Sequence, residues 1–368
     1  MSSKLDWLLM KKLFVILIFF SLNIKAQTVE YKFETFVGST AGYKNAKGKE
    51  AQIHSPEGIA IDKKGNLYIT EYRTSIIRKI DSDGNVSLFG GQPFKTGFKD
   101  GKMEEALIDR PHGIALDNKE NVYFCDMKNH LIRKIDKNGV MSTYAGTVGK
   151  SGFADGEKNQ ASFNQPEDLA FDSKGNLFIA DSYNFTIRKI NKMGIVSTVA
   201  GKAGTGGYAD GKGENALFNK PLGIGISKDD EVFVADSDYD GKMGGNCLIR
   251  KIDKNGNVST FAGVPNVEGN KDGTKDEATF NRPVGIEIDD LGNIYIADTE
   301  GDVIRIIDKK GNVSTIGGQY LKESSEEGIG KEAAFFDPQS LVVSKKGDIF
   351  ITDTHNSRIV VGRKIKKK

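Results

Sequence analysis

Four residues of this 368-residue chain, Glu57, His112, Glu167 and Gln339, could converge as metal ligands or as an acid–base set. Each directly follows a proline, and the prolines recur at near-constant spacing, so the four are equivalent positions of a repeat. Imidazole and carboxylate side chains can act as an acid–base set near neutral pH or as ligands to a divalent metal. The two other post-proline positions hold Leu222 and Val284. The repeat is therefore broken here, and a site requires such a break. Asp168 adds a carboxylate where the other units have Gly or Ser. The competing reading is a solvated funnel lined with polar residues.

A second carboxylate set does not vary in this way. Glu71, Asp126, Asp181, Asp236, Asp298 and Asp353 recur once per unit, as do Arg78, Arg133, Arg188, Arg250 and Arg305. One acid per unit, paired with an arginine of the next segment, reads as structure rather than as an axial cation site. Val360 stands in the last unit where the others have the arginine, which makes Asp353 the member most available to a ligand. Asp236, Asp238 and Asp240 followed by Gly241 resemble the start of a calcium loop, although an EF-hand would need Glu where Cys247 stands. Calcium or another divalent metal is the cofactor these residues would take.

The positioning elements follow from the six prolines, Pro56, Pro111, Pro166, Pro221, Pro283 and Pro338. The interval is 55 residues in four cases and 62 in one, where blade four carries an insertion within Ser237 to Cys247. Each unit has a short apolar alternation after the proline (Gly58 to Asp62), a Gly-Asn turn, and a second apolar run such as Leu177 to Asp181. Then come an Ile-Arg-Lys-Ile run and a Val-Ser-Thr run. These are β-branched and aromatic strands separated by turn residues. Four antiparallel strands repeated six times predict an all-β, six-bladed β-propeller. The last unit runs out after three strands, and Val29 to Val37 reads as the missing fourth. The N-terminal strand should therefore close the last blade and protect two edges.

The motifs Pro-x-Gly-Ile-Ala-x-Asp, Gly-Asn-Leu-Tyr-Ile-Ala-Asp and Ile-Arg-Lys-Ile closely resemble NHL repeats, and they cover essentially residues 27–362. The resemblance implies a propeller and leaves function open, since related six-bladed folds include binding modules, amidating lyases and sugar-lactone hydrolases. The connections from fourth to first strand are long. Those of four units carry an Asp-Gly turn eleven residues before the proline, preceded in three of them by an aromatic: Phe98, Phe153 and Tyr208. They should stand on one face with the loops between second and third strands, and that is the expected recognition face.

The rest of the chain sets boundaries. A net charge of +2 with interspersed signs argues against nucleic acid as a partner. Lys11 and Lys12 precede an apolar run from Leu13 to Leu22, with a small-residue cleavage point at Ala26. This predicts a signal peptide over 1–26, with Met10 as a second candidate start, and a secreted or periplasmic protein with no membrane span after its removal. Residues 363–368 read as a basic tail, and Cys125 and Cys247 as free, buried thiols. No catalytic set is complete in the sequence. The expected function is a non-catalytic, monomeric module binding a protein, peptide or glycan through its long-loop face. The alternative is a metal-dependent hydrolase or lyase of lactonase-like kind at the axis.

Overall fold

The computed structural model describes residues 30–237 and 246–365. Six antiparallel sheets form a six-bladed β-propeller. In blade one the strands are Pro56–Ile61, Leu67–Glu71, Ile76–Ile80 and Val86–Gly90, in spatial as well as chain order. Turn chemistry fixes each hairpin. The Asp62 carboxylate accepts the backbone N–H groups of Lys64 and Asn66 at 2.9 and 2.8 Å, and Gly65 takes the left-handed position at φ +86°. The other five sheets gain a two-residue outer strand from the long connection, for example Gly156–Glu157 beside Ile195–Gly201.

Closure is as the sequence predicts. The N-terminal strand Glu30–Gly38 lies in the last blade, between Arg358–Ile365 and Gly328–Ile329. Phe33 and Tyr31 carry it into that blade's core, with Phe33 edge-on to Phe335 at 5.4 Å. Each blade buries one apolar face against its neighbour. The cluster of Ile59, Leu67, Ile69, Val342 and Ile359 joins blades six and one across the closure. The innermost strands approach so closely at the axis that a Cβ at Gly113 would overlap the Asp168 carboxylate, and one at Gly223 the Val284 carbonyl.

The conserved order of residues within each unit now has a physical account. Arg133 is fully buried, and its guanidinium reaches Asp126 at 2.7 Å, Asp100 at 2.6 Å and the carbonyls of Leu107 and Lys99. The ring of Phe98 lies 4.8 Å from it. Asp126 in turn accepts the N–H of Asp109 and the amide of Asn129. One arginine thus pins the long connection to its own blade. Arg188 does the same with Asp181, Asp155 and Phe153, and Arg250 with Asp236, Asp210 and Tyr208. Phe153 and Tyr208, though stacked on their arginines, remain 44% and 38% exposed.

Two sequence expectations change here. The last blade is not without its arginine: Arg358 enters from two residues earlier and bonds Asp353 through Nε at 2.6 Å. Its other nitrogens reach Thr35, Ser325 and Ala334, so it also fastens the N-terminal strand. Asp353 is therefore fully engaged and buried rather than open to a ligand. Asp236 is likewise buried and bonded to Arg250, Asn246 and the N–H groups of Asn219 and Lys220, which leaves it no role in a calcium loop. Asp238 and Asp240 lie outside the described residues.

Arg133→Met leaves Asp126 buried beside no guanidinium and should cost about 3–5 kcal/mol. Arg358→Met should cost as much, whereas Lys79→Met on the blade surface should cost less than about 0.5 kcal/mol. Urea midpoints with unchanged m-values check all three.

Candidate functional site

The inner strands begin at the six prolines, so the post-proline side chains ring one end of the axis. Glu57, His112, Glu167, Leu222, Val284 and Gln339 together line a funnel of about 320 Å³. The strand-two-to-three loops add Tyr72, Arg73, Met127, Lys128, Tyr183, Thr354 and His355 to its wall. The ends of the long connections supply Ser55, Gln165, Lys220, Arg282 and Asp337, the residues just before the prolines. The funnel therefore opens on the face expected from the loop lengths. Four of these five pre-proline residues sit in the left-handed region, with φ between 47° and 57°: Ser55, Gln165, Arg282 and Asp337. Arg110, which does not line the funnel, has φ 52°, so this backbone conformation belongs to the repeat.

His112 is the centre of the funnel floor. Its Nδ1 lies 3.1 Å from the Glu167 carbonyl, which can only accept, so Nδ1 carries a proton. Its Nε2 lies 3.2 Å from the Glu167 carboxylate and 3.6 Å from that of Glu57. Two carboxylates on Nε2 favour the imidazolium, and the His112 pKa is raised above 6.5 against the opposing effect of burial. Burial pushes Glu57 up to about 7, with His112 and Arg282 pulling down and Glu167 pushing up. Glu57 and His112 thus stand in direct contact, and Glu57 changes charge near neutral pH. Three of the four post-proline residues singled out from the sequence come together here, and Gln339 lies on the same wall.

Asp168 does not join them. Its carboxylate accepts the N–H of Ile224 from the next blade at 2.9 Å, and burial pushes its pKa to about 6. Further along the axis stands Glu287, where other blades have Ala, Gly or Val. Burial and Asp168 push this carboxyl to about 8. Glu287 faces a larger space of about 1050 Å³ at the opposite end, among the strand-one-to-two turns. The sequence reading missed Glu287, although Gly-Ile-Glu against Gly-Ile-Ala was a legible signal.

It also missed the rim. Arg73, Lys128, Lys220 and Arg282 bring four cations to the funnel wall. The Lys220 ammonium lies 4.3 Å from the Tyr183 ring, Lys128 bonds Gln165 at 2.8 Å, and Arg282 meets Glu300 at 3.5 Å. Asp337 is held by His355 at 2.6 Å. Among the described residues, no group of three or more His, Cys, Asp or Glu side chains is disposed to hold a metal ion. His112 and its carboxylates close on one another instead. Both cysteines are free and buried, as expected.

Residues 163–190 and 335–361 match the NHL repeat family model. They correspond to the repeated strands of blades three and six. The chain is an NHL-repeat propeller. NHL repeat-containing protein 2 of Gallus gallus is 30% identical over 309 residues, covering 74% of this chain and 41% of that protein. This propeller spans 26% to 42% of the length of the curated relatives it matches first. An auxiliary nutrient binding protein from Bacteroides thetaiotaomicron shares the fold with a TM-score of 0.68 at 13% identity, over 92% of this chain and 78% of that one. Virginiamycin B lyase from Staphylococcus aureus does so with a TM-score of 0.52 at 16% identity, over 92% and 90%.

The funnel floor predicts a pH dependence. A carboxyl whose folded pKa exceeds its unfolded value of 4.5 stabilises less as pH rises from there through about 7. A histidine raised above 6.5 contributes fully below that value and loses its contribution as pH rises through the folded pKa, so both act in one direction. Between pH 5 and 8 the wild type should lose about 2 kcal/mol more stability than Glu57→Gln. Thermal unfolding across that range reads the difference, and parallel curves for the two proteins would contradict it.

Proposed function

We propose that this NHL-repeat propeller is an exported, non-catalytic binding module that takes its ligand in the axial funnel. The observation that carries the reading is the contrast between frame and funnel. The carboxylate ring is buried and bonded blade by blade, while the funnel gathers acid, base, cation and apolar wall with no blade repeating its neighbour. A concave site with a few convergent polar groups and shifted pKa values is the expected form of a ligand pocket. Export rests on the lysine-flanked apolar run from Leu13 to Leu22. The nutrient-binding neighbour of the same fold is consistent with capture of a small molecule outside the cytoplasm.

A second reading is favoured by one contact. The Nε2 of His112, held between two carboxylates, is suited to proton transfer in a lyase- or hydrolase-type reaction. The metal-dependent form of this alternative would use Glu57, His112 and Glu167 as ligands. In its favour stands the likeness of fold to a lyase; against it stands the closed contact of His112 with both acids.

A thermal-shift screen with amino acids, short peptides, sugars and nucleotides tests the reading. One class should stabilise the protein, by about 2.7 kcal/mol at a hundredfold excess over Kd. Glu167→Gln should abolish that shift, and Phe153→Ser on the outer loops should leave it intact. Stabilisation that survives Glu167→Gln and His112→Gln but is lost in Phe153→Ser would place binding on the loops instead. Release of a product from the stabilising ligand, followed by NMR, would favour the catalytic alternative.

A further inference from the structure

The larger opening lies at the other end of the axis. It is a depression of about 1050 Å³ beside the strand-one-to-two turns of blades five, six and one, the last strand, and Phe36 of the N-terminal strand. Much of its apolar wall belongs to the repeat, since Ile61, Ile288 and Val343 end inner strands as Leu116 and Ile226 do elsewhere. Two features do not.

The first is an uncovered aromatic ring. In every blade the second residue of the second strand is aromatic: Tyr68, Tyr123, Phe178, Phe233, Tyr295 and Phe350. In blades one to four the lysine paired with it on the third strand, Lys79, Lys134, Lys189 or Lys251, holds its ammonium 5.4–6.0 Å from the ring. Blade six has Val361 there. Phe350 is also the one ring of the six that is not buried. It meets Phe36 edge-on, with centroids 5.3 Å apart, and both rings line the depression.

The second is the charge beside these rings. The strand-one-to-two turns of blades six and one carry lysine pairs, Lys345–Lys346 and Lys63–Lys64, and no other blade has such a pair. Lys364 of the last strand lies over the blade-six turn, where a Cβ at Gly347 would stand 2.8 Å from its ammonium. Lys63 donates to the Asn118 carbonyl and Arg363 pairs with Glu34, but Lys64, Lys345 and Lys346 have no side-chain hydrogen bond or ion pair among the described residues. The Asp62 and Asp289 carboxylates accept the N–H groups and the Asn amide of their own turns. Asp290 and Asp348 also line the space, while Glu287, pushed up to about 8 by burial, is uncharged at neutral pH. A polyanion would set further charge against the Phe36 and Phe350 rings. A neutral apolar ligand would leave the close-set lysines without a counter-charge.

We propose that this depression binds a single-chain amphipathic anion, a medium-chain aliphatic carboxylate. Its acid group lies among Lys64, Lys345 and Lys346, and its chain lies against Phe36 and Phe350. The site is separate from the funnel and stands however the funnel is read. Each methylene taken from water favours binding, and the exposed lysines contribute most at low salt.

Calorimetry with octanoate at low salt tests the assignment. Octanoate should bind at one site per chain, and acetate and octanamide should each bind at least about tenfold more weakly. The combined variant Lys64→Gln, Lys345→Gln, Lys346→Gln should lose octanoate binding, whereas Lys119→Gln and Lys174→Gln on the turns of blades two and three should keep it. Val361→Lys, which restores the cover found in blades one to four, should weaken octanoate at least about tenfold. Circular dichroism separates lost binding from lost folding, and the acetate comparison tests the apolar contact without any substitution. Equal binding of octanoate and octanamide, octanoate binding unchanged in the lysine variant or in folded Val361→Lys, or no binding up to about 10 mM overturns the assignment. So does binding to phosphatidylglycerol vesicles with no response to free octanoate, which would make this end a membrane contact instead.

Discussion

The stability of each blade turns on an arginine taken entirely out of water. Its charge is met by a carboxylate of the preceding strand, and its terminal nitrogens also reach carbonyls of the long connection, while the Nε of Arg133, Arg250 and Arg305 is buried with no partner. Such a pair is costly to desolvate and costly to break. What it secures is geometry: a long connection whose own secondary structure is at most a two-residue strand and a 3-10 turn is fixed to the strands beneath it, carrying the next blade's proline and inner strand into place. Burial of the partnering acids pushes Asp126, Asp181 and Asp298 up to about 6 and Glu71 up to about 7, against the pull of their arginines.

This frame frees the axis for variation. Because the arginines hold the loops, the residues on either side of each proline need not maintain the fold. They differ from blade to blade, and all of them except Arg110 line one opening. The left-handed backbone at Ser55, Arg110, Gln165, Arg282 and Asp337 recurs just before the proline in five blades and so belongs to the frame. Function in this propeller is carried by departures from the repeat, and stability by adherence to it.

The same distinction explains what could be read from the sequence. The prolines, the strand alternation and the missing fourth strand determined blade number, strand order and closure, because those depend on spacing alone. Glu57, His112 and Glu167 were legible because the post-proline position is otherwise apolar or neutral. Lys220 and Arg282 of the cationic rim escaped notice although their signal was of the same kind: Ser55, Arg110, Gln165, Lys220, Arg282 and Asp337 vary just as strongly two positions earlier. Arg358 escaped for a different reason. It reaches Asp353 from two residues before the repeat position, so strict register placed Val360 there and left the blade without its pair. A long side chain can serve one site from two backbone positions, and register cannot see that. The alternating acids of blade four had a local match to a calcium loop, but the long-range demand of Arg250 on Asp236 is invisible in a window of twelve residues.

Hydrogen exchange with and without the most stabilising small ligand tests most directly whether the axis, rather than the outer loops, is the binding surface. The account predicts added protection at the backbone amides around Ser55, His112, Gln165 to Glu167, Lys220 and Arg282, with the connections bearing Phe98, Phe153 and Tyr208 unchanged. Protection confined to those connections, with the funnel amides exchanging as before, would contradict it.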